Sequence, residues 1–175
     1  KDVKIQVEFN PAHVSEYRLL GYENRALAEE DFANDAVDAG EIGAGHQVTA
    51  LYEIVPTGAQ GWMPERRYAA NQRVEATGDE AAEMAMVRLR YKLPDGDRSM
   101  LLERAIPADA LRRARAPAGE MAFAVAVAGY GQKLRGDTHL GRWTFADSAK
   151  LAEGAAGTEL RKQFVTLAQK AAELN

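Results

Sequence analysis

The sequence predicts an α+β protein: an antiparallel, β-sandwich-like sheet unit followed by a C-terminal layer of two to three helices. Three observations carry this prediction. Several runs before residue 107 alternate apolar and polar residues with period two. After Ile106-Pro107 the apolar period becomes helical. The strands therefore come first and the helices later, unlike the alternating order of a parallel βαβ sheet.

Val3, Ile5, Val7 and Phe9 alternate with Lys4, Gln6 and Glu8, and Asn10-Pro11 stops the run because proline has no N–H for a ladder. A less regular extended run follows at Val14–Tyr22. His46, Val48, Ala50, Tyr52 and Ile54 read as a third strand that ends at Pro56. Ala85, Val87, Leu89 and Tyr91 make a fourth, with Arg88 and Arg90 on its other face. Pro94-Asp95-Gly96-Asp97 is turn chemistry, so Met100–Arg104 returns as the fifth strand of a hairpin spanning Met84–Arg104.

Phe123, Val127, Tyr130 and Leu134 mark one face of a helix opening near Pro117 and closing at Gly136. Thr144 and Asp147 have N-cap spacing for a short helix to about Glu153. Gly157-Thr158 opens the last helix, whose apolar stripe is Leu160, Phe164, Leu167, Ala171 and Leu174. Of the 33 alanines, seven lie between Ala114 and Ala128, and such small side chains let helices approach closely. The connections 23–45 and 57–82 are too long for plain turns. Part of the first, Asn24–Ala36, has the composition of a short helix.

At 175 residues the chain fits a single domain, 1–175, β-rich over 1–106 and helical over 107–175. It is long enough to bury a core without staples. The absence of cysteine excludes disulfides, thiolate metal sites and cysteine nucleophiles. A net charge of -4 is the wrong sign for a general nucleic-acid binder. Lys1 is not an initiator Met, so the N-terminus reads as a cut or processed end.

Residues 23–41 hold seven acids against Arg25 alone. Asp35, Asp38 and Glu41, spaced three apart, with His46 nearby, are the candidate ligands for a divalent cation, in a metal-binding domain or a metal-dependent hydrolase using segment 31–46, since hard cations prefer oxygen donors. The spacing matches no EF-hand loop. The other reading is a solvated, partner-facing acidic surface formed by Glu29, Glu30, Asp31, Asp35, Asp38 and Glu41. Gly40-Glu41-Ile42-Gly43-Ala44-Gly45 has the wrong order for a dinucleotide fingerprint and precedes a strand, so backbone freedom is its expected use. His13, His46 and His139 are scattered, and no nucleophile–base constellation can be assembled. The expectation is a non-enzyme without a cofactor. Arg104, Arg112, Arg113 and Arg115 form a small basic patch around Asp109, readable as a solvated helix face or an anionic-lipid contact. Trp62, Tyr68 and Trp143 lie in loop-like stretches, where an aromatic commonly anchors the loop to the core.

Three stretches carry a family resemblance: Val3-Lys-Ile-Gln-Val-Glu-Phe-Asn-Pro11, Tyr17-Arg-Leu-Leu-Gly-Tyr-Glu-Asn-Arg25, and Asp38-Ala-Gly-Glu-Ile-Gly-Ala-Gly-His-Gln-Val-Thr-Ala-Leu-Tyr-Glu53. With Arg90-Tyr91-Lys92, Pro94-Asp95-Gly96 and the final helices, the chain resembles a C-terminal domain of unknown function. That domain follows the von Willebrand factor type A (VWA) domain in bacterial VWA-containing proteins, many of them lipoproteins. The resemblance implies an accessory, protein-interaction role beside an upstream VWA domain, in the cell envelope or periplasm. The D-x-S-x-S metal-adhesion signature of VWA domains does not occur in this chain. No catalytic residues carry over.

Overall fold

A computed structural model describes residues 1–21, 27–37, 39–64 and 78–174. Its strands are β1 (Lys4–Phe9), β2 (Val14–Leu20), β3 (Leu51–Pro56), β4 (Glu83–Lys92) and β5 (Ser99–Pro107). Helices α1 (Ala110–Arg113), α2 (Gly119–Leu134), α3 (Phe145–Glu153) and α4 (Glu159–Glu173) follow. The class is mixed α+β, with antiparallel sheets before helices. The chain divides into two compact units, one built on β1, β4 and β5, the other on α2, α3 and α4 with Leu19–Gly21 and Thr49–Tyr52.

In the first unit the strand order is β1-β4-β5, and both pairings are antiparallel. The register places Ile5, Leu89 and Leu102 in one cross-strand row and Lys4, Arg90 and Leu101 in the next. One face is therefore mainly apolar and the other mainly charged, as period-two alternation requires. The β4–β5 turn closes where Pro94-Asp95-Gly96 predicts, with the Gly96 N–H donating to the Leu93 carbonyl at 3.0 Å. Across the charged face, Arg88 bridges Glu8 (2.7 Å) and Glu103 (3.0 Å), and Lys92 meets Asp2 at 2.8 Å.

β2 and β3 form a second sheet. Within the first unit they are joined by the Thr57 N–H donating to the His13 carbonyl and by an Arg18–Glu53 ion pair. β3 begins at Leu51, later than expected. Residues 46–50 are exposed and outside any strand, with Val48 61% exposed. Alternation marks which face a strand would bury, but a strand also needs a neighbour to receive its backbone groups. Among the described residues none pairs with 46–50, and the His46 N–H instead closes a turn onto Gly43. His46 therefore does not open an apolar strand face. The expected Asn24–Ala36 helix falls partly outside the described residues, and its described part holds a 3-10 turn at Glu29–Asp31.

Trp62 is held against β2. It is half-buried, its backbone N–H donates to Glu16, and the Arg18 guanidinium lies 5.1 Å from its ring centroid. Tyr68 lies outside the described residues.

The helical unit closes around Ala126 of α2, Ala152 of α3 and Val165 of α4. Phe164 meets Phe123 and Tyr130 edge-on, each at 5.4 Å between centroids. Of the expected face of α2, Phe123 and Tyr130 pack into the unit, while its fully buried residues are the small Ala122, Ala126 and Gly129. Val127 and Leu134 of that face are 41% and 63% exposed. The reason is distance: α3 and the loop before it lie so close that Trp143 stacks where a Gly129 side chain would be. In α4, likewise, Val165 and Ala168 are buried while Leu160, Leu167 and Leu174 are exposed. The Thr144–Asp147 signature forms a complete capping box on α3, and Thr158 caps α4.

A Cβ on Gly129 would stand 2.5 Å from Trp143 ring atoms, whereas one on Gly131 would meet nothing within 4 Å. Gly129→Ala should therefore destabilise the helical unit by about 1–3 kcal/mol through overpacking. Gly131→Ala should stabilise it by roughly 0.5–1 kcal/mol through helix propensity. Urea unfolding followed by tryptophan fluorescence reads both signs.

Candidate functional site

The acidic segment lies against the charged face of the three-stranded sheet. Lys4, 5% exposed, donates its ammonium N–H groups to the Asp31 and Asn34 carbonyls. The Asp35 carboxylate accepts from Arg90 (3.1 Å) and from the Ser99 hydroxyl, and Lys92 donates to the Asp35 carbonyl at 2.9 Å. The Ser99 hydroxyl first, then the Arg90 guanidinium, hold the Asp35 carboxyl below the ordinary carboxylate range. Segment 31–35 is thus a strap over a basic row.

The structure describes three of the four candidate metal ligands. Asp35 is engaged by the sheet, whereas Glu41 and His46 are exposed and Asp38 lies outside the described residues. Among the described residues, no three histidine, aspartate or glutamate side chains are grouped to hold a metal ion. Glu29 and Glu30 remain exposed on the 3-10 turn. Gly40 makes an isolated bridge to Val3, and Gly45 has φ +76°, so the glycine cluster serves backbone geometry. Arg113 pairs with Asp109 at 2.7 Å inside the basic patch.

The helical unit holds a groove of about 900 Å³, within the range of ligand pockets. Ala122 and Val125 of α2, Leu151 of α3 and the Trp143 ring provide its apolar lining. Pro117, Ala118 and Gly119 lie at the α2 end, and Arg142, Asp147 and Lys150 add charge. Trp143 is fixed from two sides: its ring lies on Gly129, and its Nε1–H donates to the fully buried Ser148 Oγ at 2.8 Å. The Asp147 carboxylate is committed to the capping box, receiving the Thr144 hydroxyl and backbone N–H at 2.6 and 2.8 Å. The Thr144 hydroxyl, its backbone N–H and then Lys150 hold the Asp147 carboxyl below its ordinary value. The exposed Arg142 and Lys150 thus give the groove a basic margin beside an apolar floor.

Sequence reasoning reached Trp143 but missed the groove and its two cations. The available signal was position: Trp143 immediately precedes the N-cap Thr144, where an apolar residue commonly folds back onto the first turn of the helix. Nothing in the spacing shows that Pro117–Val125 faces it across the groove.

The model of a protein family described as the C-terminal part of the uncharacterized protein YfbK matches residues 1–174. The chain belongs to this family. A relative described as uncharacterized protein YfbK, from Escherichia coli strain K12, is 41% identical over 174 residues. The match covers 98% of this chain and 29% of that relative, so the chain spans under a third of its length. No solved structure matches the chain.

The strap has a pH signature. A carboxyl depressed in the folded state contributes stability that is present above its unfolded value and is lost as pH falls through the folded one. The stability difference between the parent chain and Asp35→Asn should therefore be largest near pH 7 and shrink below about pH 4. Urea midpoints at pH 7 and pH 3 measure it. A difference that grows on acidification would contradict the strap.

Proposed function

We propose that the chain is a non-catalytic accessory domain of a bacterial VWA-containing protein and serves protein interaction. The observation that carries this reading is the Trp143 groove. Its apolar floor is held rigid by the Gly129 contact and the Ser148 hydrogen bond. A rigid aromatic in a concave apolar site provides contact area at little entropic cost on binding. Arg142 and Lys150 outnumber the ionised Asp147, so the margin is net positive. That arrangement suits a protein segment carrying an apolar residue flanked by carboxylates.

The family resemblance supplies the first partner to try, an upstream VWA domain of the same protein, and a cell-envelope setting. The exposed acids Glu29, Glu30 and Glu41 of the first unit are a second, independent candidate partner surface, where charge would affect association rate and specificity more than affinity.

The test uses the chain as bait for a separately produced VWA domain of the parent protein. Reversing both cations, Arg142→Glu with Lys150→Glu, should weaken binding at least tenfold at low salt. Both side chains are exposed, so the melting temperature should stay within a few degrees of the parent. Equal binding by the parent and the double variant would remove the groove from the interface.

A further inference from the structure

The Trp143 groove has a helix on each side, and that sets the form of the segment that fits it. On the α2 side the lining includes Ala118, Ala122 and Val125, spaced four and three apart. On the α3 side it is Asp147, Lys150, Leu151 and Gly154, spaced three, one and three. Each set follows one stripe of its helix over about 10 Å, roughly two turns. Gly129 of α2 faces Trp143, just before α3, and Ala126 shares the core with Ala152 further along. The two walls therefore run antiparallel.

Three features select a helix as the occupant. Inside α2 and α3 the backbone groups are bonded within their own helices. An extended chain would find no partners on this floor for its N–H and C=O groups, whereas a helix brings its own. Next, the walls carry small residues, Ala118 and Ala122 on one side and Gly154 on the other. Small contact residues let a third helix approach at the short end of the usual interaxial range. Last, the charge is one-sided: Arg142 and Lys150 stand on the α3 side, and the α2 lining is uncharged.

We infer that the groove receives an amphipathic helix of a partner protein, its apolar stripe on the floor and its acids along the one flank that faces α3. This rests on the reading of the groove as an interaction surface and specifies the partner segment. The stripe is apolar at i, i+3 or i+4, and i+7, with one residue large enough to lie on the Trp143 ring. Arg142 precedes the N-cap Thr144, and Lys150 lies about 9 Å along the axis from that cap. Aspartate or glutamate at i and i+7 of the partner spans that distance and pairs with both cations.

Random peptides of roughly four helical turns, displayed on phage, would be selected on the whole chain and on two blocked variants. Arg142→Glu with Lys150→Glu reverses the margin. Gly154→Phe fills one end of the groove without strain, since φ there is -67° and an added Cβ meets nothing within 4 Å. Peptides retained by the parent should carry the apolar stripe with acids on one flank and gain helical circular dichroism on binding. Both variants should bind them at least tenfold more weakly. In a Trp62→Phe background Trp143 is the sole tryptophan, so its fluorescence should shift with peptide. No retained peptide, retained peptides without helical period, or binding unchanged by Gly154→Phe would each overturn the inference. So would the same fluorescence shift with phosphatidylglycerol vesicles alone, or self-association of the parent that Gly154→Phe abolishes. If the VWA domain binds but no helical peptide does, this inference fails alone. If helical peptides bind and the VWA domain does not, only that partner falls.

Discussion

The buried ammonium of Lys4 organises the first unit. A lysine this enclosed needs acceptors, and it finds them in the main-chain carbonyls of Asp31 and Asn34 rather than in a carboxylate. That choice brings the chain after the 3-10 turn across the charged face of the sheet, where Arg90, Lys92 and Ser99 take hold of Asp35. The most charged face of the sheet is thereby occupied from within the molecule. Among the described residues, what remains open is the opposite kind of surface: the apolar row through Ile5 and Leu102, and the β5 edge. The strap satisfies the charges of that face and leaves apolar strand surface exposed.

The helical unit obeys a different constraint, the closeness of its helices. Ala122, Ala126 and Gly129 form the buried side of α2, and α3 contributes Ala149 and Ala152. Residues this small bury little area each, so the unit also depends on aromatic contacts among Phe123, Tyr130, Phe145 and Phe164. Trp143 gains its fixed place from the same closeness. The Gly129 backbone receives its face, and the short Ser148 side chain receives its N–H. The groove is a consequence of small-residue packing: a larger residue at 122 or 129 would fill it or displace the tryptophan.

Features closed by local chemistry were legible in the sequence. The β4–β5 hairpin followed from alternation on either side of a Pro-Asp-Gly turn, and the α3 cap from Thr144 and Asp147. Both are decided within a few residues. The expected faces of α2 and α4 were right for Phe123, Tyr130 and Phe164 and wrong for their remaining large aliphatic residues, for one cause. Periodicity weights large apolar residues, whereas closely packed helices bury their small ones and leave Val127, Leu134, Leu160 and Leu167 outside. The early start expected for β3 failed because a strand is a pair property, and alternation from His46 to Ala50 contains no information about a neighbour.

The sequence by itself determined the α+β class, the order of strands and helices, the turn and cap positions, and the exclusion of cysteine chemistry. Those properties rest on backbone preferences and on period, which are local. The tertiary structure alone decided that Asp35 serves a basic row with Arg90, Lys92 and Ser99. It also decided that Trp143 lines a groove with Arg142 and Lys150, and that Met100–Ala105 is exposed on an edge that no described residue pairs. Each depends on residues distant in the chain being brought to one place, and a one-dimensional pattern records what a segment can bury but not what it meets.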